Sequence, residues 1–350
     1  MSFNIAHRRI GVDSAPFIIA EMSGNHNQSL ERALQIVEAA ARAGAHALKV
    51  QTYTADTMTL NLREGEFFVA DKQNLWQGRT LYELYAEAHT PWQWHAPIFD
   101  RARMLGMIPF STPFDSTAVD LLEKLDVACY KIASFENTDL PLIRRVASTG
   151  KPMIISTGMS NLAELDETVR TAREAGCNDL VLLQCTSTYP ATPLDSNLLT
   201  IPHMREAFGC QTGLSDHTMG IGVSVASVAL GASVIEKHFT LSRADGGVDS
   251  TFSMEPAEMA MLVVETERAW QGLGSVHYGP ASANEATSRA YRRSLYVVRD
   301  MEKGEAFTPD NLRAIRPGLG LPPKYYETLM GKQVNQTVKS GTPVSWKLIG

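Results

Sequence analysis

The sequence predicts a TIM (β/α)8 barrel of the α/β class, followed by a small β-rich domain. Three observations lead to this prediction. Eight short apolar runs, each followed by a polar loop and a helical pattern, recur over about 270 residues, which is the usual size of such a barrel. Each run ends in polar or charged residues, at the strand ends where barrel enzymes place their chemistry. After residue 274 the pattern changes to short strands and turns rich in Gly and Pro.

The eight predicted strands share an apolar body and a polar carboxyl end. They cover residues 17–21, 45–51, 107–112, 128–134, 152–157, 180–187, 211–216 and 232–238. Between the first two, Leu30, Leu34 and Val37 recur at helical spacing. A doubly wound sheet would also alternate strands and helices, but it normally has fewer strands and a Gly-rich first turn. The segment after Glu21 lacks such a turn, so the barrel is favoured.

The second strand-helix unit is much longer than its neighbours. Its excess, residues 53–79, carries Phe67, Phe68 and Trp76 among polar residues. Long loops in compact domains are commonly lids or binding loops, although a surface excursion with its own small apolar cluster would show the same composition.

The predicted domains are a catalytic barrel over residues 1–274, a polar linker over 275–290 and a small domain over 291–350. The small domain is predicted to contain short strands and one helical turn near residues 325–330. A domain of about 60 residues is close to the lower limit for independent folding, so we expect it to dock on another surface.

Composition narrows the function classes. The chain has 44% hydrophobic and 20% charged residues and a formal charge of −6, so it has no basic field for nucleic acid. The four cysteines form no CxxC pair and mostly lie in apolar runs, which indicates buried free thiols and a reducing, cytoplasmic location. Neither a signal peptide nor an apolar run of about 20 residues is present, so we expect no membrane partner.

His217 and His238 are the candidate metal ligands. Each follows an apolar run, and their spacing allows one helix and a return, so we expect the two imidazoles at the ends of adjacent strands. Neutral imidazole binds first-row divalent ions well. With carboxylates or water completing the shell, Mn²⁺, Fe²⁺, Co²⁺ and Zn²⁺ are all compatible, and Mg²⁺ would prefer more oxygen ligands. A structural role for hydrogen-bonded histidines is the alternative.

Lys49 and Lys131 lie within apolar runs, where a lone ammonium group is costly to bury. An anionic ligand would remove that cost, and hydroxyl groups at neighbouring strand ends would add hydrogen-bond donors for a phosphate or carboxylate. The candidate hydroxyls are Ser111, Thr112, Ser134, Ser187 and Ser215. The alternative is a purely structural pairing of each lysine with Glu21 or Glu236.

Two carboxylates complete the candidate set. Glu21 ends the first strand and can act as a general acid or base if burial and neighbouring charges tune its pKa. Asp249 lies in a glycine-containing loop after the eighth strand and can hold hydroxyl or amide groups, although the glycines there are also typical of a simple turn. The loop after Glu21 is equally consistent with a helix-capping segment that begins near Ser29.

Seven motifs in order resemble the sialic acid synthase family. They are IAEMSGNHN at 19–27, LKVQT at 48–52, STPF at 111–114, YKIAS at 130–134, STGM at 156–159, GLSDHT at 213–218 and EKHFT at 236–240. The tail segments RPGLG at 316–320 and LMGK at 329–332 are similar to the antifreeze-like (SAF) domain that ends these enzymes. The resemblance therefore covers the whole chain.

The resemblance implies a transferase that condenses phosphoenolpyruvate with an N-acetylated amino sugar to give a nine-carbon 2-keto acid and phosphate. It implies a divalent metal ion at His217 and His238, with Mn²⁺ first and Mg²⁺ or Co²⁺ as alternatives, and Glu21 as the proton-handling group. The residues that match phosphoenolpyruvate-binding positions of the family are Lys49, Thr112, Lys131, Ser134 and Ser215. Ser187 is also assigned to this set, although other members carry Asn there.

Two motifs, those at residues 21–26 and 51–57, resemble the members that make pseudaminic acid. The implied acceptor is 2,4-diacetamido-2,4,6-trideoxy-L-altrose, and Trp76 would suit such a deoxy sugar through apolar contact. The sugar-binding positions implied by the resemblance are Gln51, Trp76, Tyr189, Asp249 and Arg316. In relatives the small domain covers the partner's barrel, which implies a domain-swapped homodimer in which Arg316 enters the partner's site.

Other readings of the same residues remain. Within the family, the acceptor could instead be a precursor of N-acetylneuraminate or legionaminate. A metal-dependent barrel hydrolase or aldolase would use the same two histidines, but it would leave Lys49 and Lys131 without a phosphate, and an aldolase would need one free Schiff-base amine. A non-catalytic sugar- or ice-binding protein would have no reason to bring two histidines and two lysines into one cavity.

Overall fold

The computed structural model describes residues 2–71 and 76–350, and the chain divides into two compact units, residues 1–274 and 275–350. The segment predicted as a linker, 275–290, falls within the second unit. Among the described helices, none combines the length and apolar character needed to cross a membrane. All four cysteines are buried and free.

The first unit opens with an antiparallel hairpin of β1 (Phe3–Ile5) and β2 (Arg8–Ile10). The sequence does not predict this hairpin, because its two strands have three residues each and the second contains Arg8 and Arg9, so neither shows an apolar run. Ile5 and Ile10 are nevertheless fully buried in the core of the barrel unit. The Arg8 side chain also forms a hydrogen bond with His46, the residue that precedes the second barrel strand.

The eight predicted strands form a closed barrel in which every neighbouring pair is parallel. They are β3 (Phe17–Glu21), β4 (Ala47–Thr52), β5 (Ile108–Pro113), β6 (Tyr130–Ile132), β7 (Met153–Ser156), β8 (Leu180–Cys185), β9 (Gln211–Ser215) and β10 (Val234–His238). The barrel closes where β10 pairs with β3. The TIM-barrel prediction is therefore confirmed. These strands are buried on both faces, which explains why they read as continuous apolar runs rather than as alternating patterns.

Helices follow the strands around the barrel. They are α1 (Leu30–Arg42), α2 (Ala55–Met58), α3 (Leu81–Ala88), α4 (His95–Met104), α5 (Ser116–Lys124), α6 (Leu140–Ala147), α7 (Leu162–Glu174), α8 (Thr200–Phe208), α9 (Gly222–Ala229) and α10 (Pro256–Leu273). Side-chain caps start several of them: Ser29 accepts from the backbone N–H of Arg32, and Asn161 forms a capping box with Glu164.

The long second strand-helix repeat of the barrel contains α2, α3 and α4 between β4 and β5. Residues 72–75 of its predicted excess lie outside the described residues. Trp76 is half-buried, and its indole N–H donates to the carbonyl of Val248 at 3.3 Å. The excess segment therefore reaches the loop that follows β10, at the mouth of the barrel.

The second unit contains α11 (Ala283–Thr287), β11 (Ser294–Val297), β12 (Leu312–Ile315) and α12 (Tyr326–Leu329). The strands form an antiparallel pair, and isolated bridges extend the β structure elsewhere in the unit. Helix α12 occupies the predicted helical turn. Leu295, Phe307, Leu312 and Val344 are buried in a core of the unit's own.

We expect the N-terminal hairpin to stabilise the barrel. Replacing Ile10 by alanine removes a fully buried side chain and leaves a cavity, so the free energy of unfolding should fall by about 2–5 kcal/mol. Urea unfolding followed by circular dichroism measures this change. The matched control is Val12→Ala at a side chain that is 51% exposed, where the change should stay within about 0.5 kcal/mol. Equal small effects at both positions would contradict a structural role for the hairpin.

Candidate active site

Six ionisable side chains from five elements converge at the carboxyl ends of the barrel strands. They are Glu21, Lys49, Lys131, His217, Glu236 and His238; five are buried and His238 is half-buried. The closed barrel brings them together because the inward positions of all its strands face one interior.

Lys49 lies between two carboxylates. Its ammonium nitrogen is 3.0 Å from Glu21 Oε2 and 3.4 Å from Glu236 Oε1. It also donates to the hydroxyl of Thr112 at 3.2 Å. The lysine, the hydroxyl and Glu21 are thus held in one contact group.

Lys131 also lies close to the Glu236 carboxylate. Its ammonium group donates to the Ser156 hydroxyl at 2.7 Å and to the carbonyl of Ile132 at 3.2 Å, and lies 3.7 Å from Glu236 Oε1. The hydroxyl of Ser215 donates to this same oxygen at 3.1 Å. One carboxylate oxygen of Glu236 therefore serves two buried lysines and one hydroxyl.

This sharing sets the charges of the group. Burial alone would raise the pKa of Glu236, but Lys131 and Lys49 outweigh it, and the net pKa is lowered. Burial would lower the pKa of Lys49, but Glu21 and Glu236 raise it above its ordinary value. For Lys131 burial dominates, and its pKa is lowered despite Glu236. Glu236 is thus the ionised carboxylate that both ammonium groups share. Glu21 is the second carboxyl group, and its protonation can change near neutral pH.

Glu21 differs from Glu236 in its protonation. Burial raises its pKa to about 7, against the opposing effect of Lys49. Its Oε1 accepts from the backbone N–H of Ser23 at 3.1 Å and from the amide of Gln51 at 3.2 Å. A carboxyl group with this pKa can both give and take a proton near neutral pH.

The hydroxyls of Ser134 and Ser187 both lie close to Gly158. The backbone N–H of Gly158 donates to the hydroxyl of Ser134 at 3.2 Å. A Cβ atom at Gly158 would lie 2.2 Å from the Ser187 hydroxyl and 2.8 Å from the Ser134 hydroxyl, so glycine is required for both hydroxyls to approach the backbone. Two hydroxyls of the predicted anion-binding set are therefore neighbours.

The two imidazoles lie side by side, with ring centroids 5.4 Å apart. Nδ1 of His217 donates to the carbonyl of Thr186 at 2.9 Å, so in the neutral ring Nε2 is the acceptor nitrogen. Nδ1 of His238 is buried without a hydrogen-bond partner, and burial holds the pKa of this imidazole well below its usual range. Burial would also lower the pKa of His217, but the adjacent Cys185 outweighs it and raises the pKa, so a cation there would compete with a proton.

These features fit a divalent cation at the imidazole pair, because both rings offer nitrogen and one nitrogen is left unpaired. Among residues 2–71 and 76–350, no group of three or more His, Cys, Asp or Glu side chains is arranged to hold a metal ion. His217 and His238 would therefore supply two ligands, and water or substrate would complete the shell.

An aromatic wall flanks the imidazoles. The ring centroid of Tyr189 lies 4.5 Å from that of His217 and 5.1 Å from that of Phe252. Phe252 in turn packs against His238 at 4.9 Å, and Trp76 lies 6.4 Å from Tyr189. Trp76 and Tyr189, both predicted to bind the sugar, are thus neighbours, and Phe252 contacts both Tyr189 and the imidazole of His238.

Asp249 is connected to Glu21 through polar side chains. The Ser23 hydroxyl donates to the Asp249 carboxylate, and the amide of Gln51 contacts both the Ser23 hydroxyl, at 3.3 Å, and Glu21. Burial raises the pKa of Asp249 against the effect of the Ser23 hydrogen bond. Gln51 and Asp249 therefore lie on the same side of the cavity as Glu21.

Other polar residues near the site have structural partners. Asn25 donates to the carbonyl of Phe239 and to the hydroxyl of Ser253, so it holds the loop after β10. Ser111 donates to the carbonyl of Val50 and does not join the lysines. Arg316 belongs to the second unit, where it is exposed and directly follows β12.

Four residues of this site were not predicted from the sequence: Ser156, Gly158 and Phe252 as participants, and Glu236 as more than a structural partner. A signal was available for Glu236, because it lies two residues before His238 and therefore faces the same side of its strand. Ser156 and Gly158 belong to the motif at 156–159, which resembles the family, but the motif alone predicts no function for either residue. Phe252 follows no periodic pattern, so only the fold reveals its position.

Removing the shared carboxylate should be strongly destabilising. Glu236→Gln leaves two buried ammonium groups with Glu21 as their remaining carboxylate, so the free energy of unfolding should fall by about 3–5 kcal/mol. The control is Glu38→Gln, which breaks the pair of Glu38 with Arg101, whose side chains are 34% and 39% exposed; it should lose at most about 1 kcal/mol. Urea denaturation measures both. Similar losses in the two variants would show that Glu236 is not shared as described.

Comparison with known proteins identifies the family. The NeuB family matches residues 36–278, and the SAF domain matches residues 292–349. The chain is 43% identical to a pseudaminic acid synthase of Campylobacter jejuni, covering 94% of this chain and 95% of the relative. It is 42% identical to a pseudaminic acid synthase of Helicobacter pylori, over 94% and 96%. The crystal structure of an N-acetylneuraminic acid synthetase from Leptospira borgpetersenii matches with a TM-score of 0.73 and 30% identity, over 82% of this chain and 95% of that one. The chain therefore belongs to the NeuB family, with a SAF domain at its carboxyl end.

Proposed function

We propose that this protein is a pseudaminic acid synthase, a transferase that condenses phosphoenolpyruvate with 2,4-diacetamido-2,4,6-trideoxy-L-altrose and water to give pseudaminic acid and phosphate. The observation that carries the proposal is the pair of buried lysines that share Glu236 beside two imidazoles. The pseudaminic acid synthases of two organisms, each alignable over 94% of the chain, support the choice of acceptor.

Phosphoenolpyruvate binds at the lysine group. Its negative charges compensate Lys49 and Lys131, which otherwise depend on Glu236 and Glu21. The hydroxyls of Thr112 and Ser215 already contact members of this group, and Ser134 and Ser187 add donors around Gly158. Charge-assisted hydrogen bonds of this kind hold phosphate and carboxylate groups firmly.

His217 and His238 would hold a divalent cation, with Mn²⁺ first and Mg²⁺ or Co²⁺ as alternatives, because imidazole nitrogen suits first-row divalent ions and Nδ1 of His238 has no hydrogen-bond partner. When bound, the cation supplies Lewis acidity toward the aldehyde oxygen of the open-chain sugar.

Glu21 moves the proton. Bound phosphoenolpyruvate adds negative charge beside Lys49 and raises the pKa of Glu21 above its value of about 7, so the carboxyl is protonated in the complex. As the methylene carbon of phosphoenolpyruvate bonds to the aldehyde carbon, Glu21 donates its proton to the alkoxide that forms. The carboxylate then accepts the proton that water loses when its oxygen adds to C2. The hemiketal breaks its C2–O bond to phosphate, and its hydroxyl proton leaves with the phosphate, which gives the keto group.

The aromatic wall of Trp76, Tyr189 and Phe252 contacts the acceptor. An apolar surface suits the methyl group of a 6-deoxy sugar better than a hydroxylated carbon, because no hydroxyl is left without a partner there. Gln51 and Asp249, on the Glu21 side of the cavity, bind the acceptor's hydroxyl and amide groups.

Arg316 completes the acceptor site from a second copy of the chain in a domain-swapped homodimer. Its exposure at the end of β12 supports a role outside the core of its own unit. The four free, buried cysteines support a reducing, cytoplasmic setting for the reaction.

Phosphate release from phosphoenolpyruvate tests the function and the acceptor together. Purified protein with Mn²⁺ should release phosphate with the diacetamido-trideoxy altrose and not with N-acetylmannosamine, and a chelator should abolish the release. Release with N-acetylmannosamine alone would keep the reaction and overturn the acceptor. Release with neither sugar would contradict the synthase assignment.

The role of Glu21 predicts a defined pH dependence. Because the protonated carboxyl is the active form, kcat/KM should fall as pH rises above about 7, the pKa of Glu21 in the free enzyme. Glu21→Gln cannot give or take a proton, so kcat should drop by about 10²–10⁴-fold and the residual rate should lack this alkaline limb. Steady-state rates from pH 5.5 to 9 provide the measurement, with pH-stable folding checked by circular dichroism. An unchanged alkaline limb in Glu21→Gln would assign it to another group.

A further inference from the structure

An ion pair lies on the outer side of the barrel wall, directly behind the imidazole pair. Asp216 immediately precedes His217, and Lys237 immediately precedes His238. Side chains alternate along β10, so Lys237 and His238 lie on opposite faces of this strand, and Asp216 is on the Lys237 side, where it also contacts Ser224 of α9. Both charged side chains are only 1% exposed.

Lys237 binds the loop that carries His217 at three points. Its ammonium group donates to Asp216 Oδ2 at 3.0 Å, to the carbonyl of Thr218 at 2.7 Å and to the carbonyl of Gly220 at 3.0 Å. All three donors of this ammonium group are therefore used on one short loop.

Asp216 is equally well engaged. Its Oδ1 accepts from the backbone N–H and the hydroxyl of Thr218 at 2.9 and 2.8 Å, and its Oδ2 accepts from the Ser224 hydroxyl at 2.6 Å as well as from Lys237. Ser224 lies in the first turn of α9. Such a fully satisfied buried network is rigid, because any displacement leaves a buried charge without a partner.

The network adds to the backbone hydrogen bonds that set where His217 lies relative to His238. Both chain neighbours of His217, Asp216 and Thr218, are bonded to Lys237, and Lys237 is itself adjacent to His238 in β10. The backbone of the His217 loop is thereby tied to the strand of the other imidazole. On the cavity side, the bond from His217 to Thr186 fixes only the ring and its tautomer.

We propose that Asp216 and Lys237 are positioning residues that hold the two imidazoles at the separation needed to bind a divalent cation. The inference rests on the proposed cation site at His217 and His238. The side chains of the pair make no hydrogen bond or ion pair with Lys49 or Lys131 among the described residues, so the lysine group keeps its own partners when the pair is changed.

Mn²⁺ affinity of the full-length protein tests the proposal. Lys237→Met keeps an unbranched side chain of similar length and removes the three hydrogen bonds to the loop. Mn²⁺ binding, measured by titration calorimetry and by electron paramagnetic resonance of free Mn²⁺, should weaken by about 10–100-fold. The Kd for phosphoenolpyruvate, measured without metal, should stay within about twofold. Glu38→Gln, in an ion pair elsewhere on the barrel, should change neither value.

A gentler variant covers the case in which Lys237→Met does not fold. Ser224→Ala removes one hydrogen bond to Asp216 and leaves the ion pair intact, so Mn²⁺ should bind about 2–5-fold more weakly with unchanged secondary structure. Wild-type Mn²⁺ affinity in a folded Lys237→Met protein, or in Ser224→Ala where Lys237→Met is unfolded, would overturn the positioning role and leave the proposed synthase intact. If the wild-type protein binds no Mn²⁺, or if the His217→Ala variant binds Mn²⁺ with the same affinity as the wild type, the cation site and the positioning role are both overturned.

Discussion

The shared carboxylate of Glu236 is the interaction on which the candidate site depends. Two lysines are buried inside the barrel, and an ammonium group removed from water without a partner carries a large free-energy penalty. Glu236 lies within ion-pair distance of both, and Ser215 adds a hydrogen bond that orients it. Glu236 therefore offsets part of this positive charge before any ligand enters, and the site retains two cations that an anionic substrate can engage.

The second carboxylate makes the arrangement chemically useful. Glu21 and Glu236 both contact Lys49, yet burial raises the pKa of Glu21 while the lysines lower that of Glu236. Two like-charged groups in one cavity are thereby driven to different protonation states, which is the condition for one to act as an acid while the other remains an anion. The difference follows from position: Glu236 lies near both lysines, and Glu21 near one.

Strand geometry organises charge on both sides of the wall. In β10, Glu236 and His238 face the cavity, and Lys237 between them faces the surrounding helices. The neighbouring strand β9 packs closely against β10. A Cβ atom at Gly213 would lie 2.1 Å from the carbonyl oxygen of Val234, so the two strands can pair at this position only with glycine. The two lysines and the two carboxylates thus lie on strands, whereas the aromatic wall of Trp76, Tyr189 and Phe252 lies in the segments between the regular strands and helices of the barrel.

The sequence by itself determined the barrel, because eight apolar runs with polar ends are a local pattern that each strand carries independently of the others. It also identified both imidazoles and both lysines, since charged or metal-binding residues at the ends of buried runs have few structural explanations. Their partners were decided by the tertiary structure. Glu236 became the shared carboxylate only when strands far apart in sequence closed into one barrel, and Phe252 joined the aromatic wall because its loop folds back over the histidines. The N-terminal hairpin escaped prediction for a related reason: Ile5 and Ile10 are two isolated apolar residues whose burial depends on a surface that only the folded barrel provides.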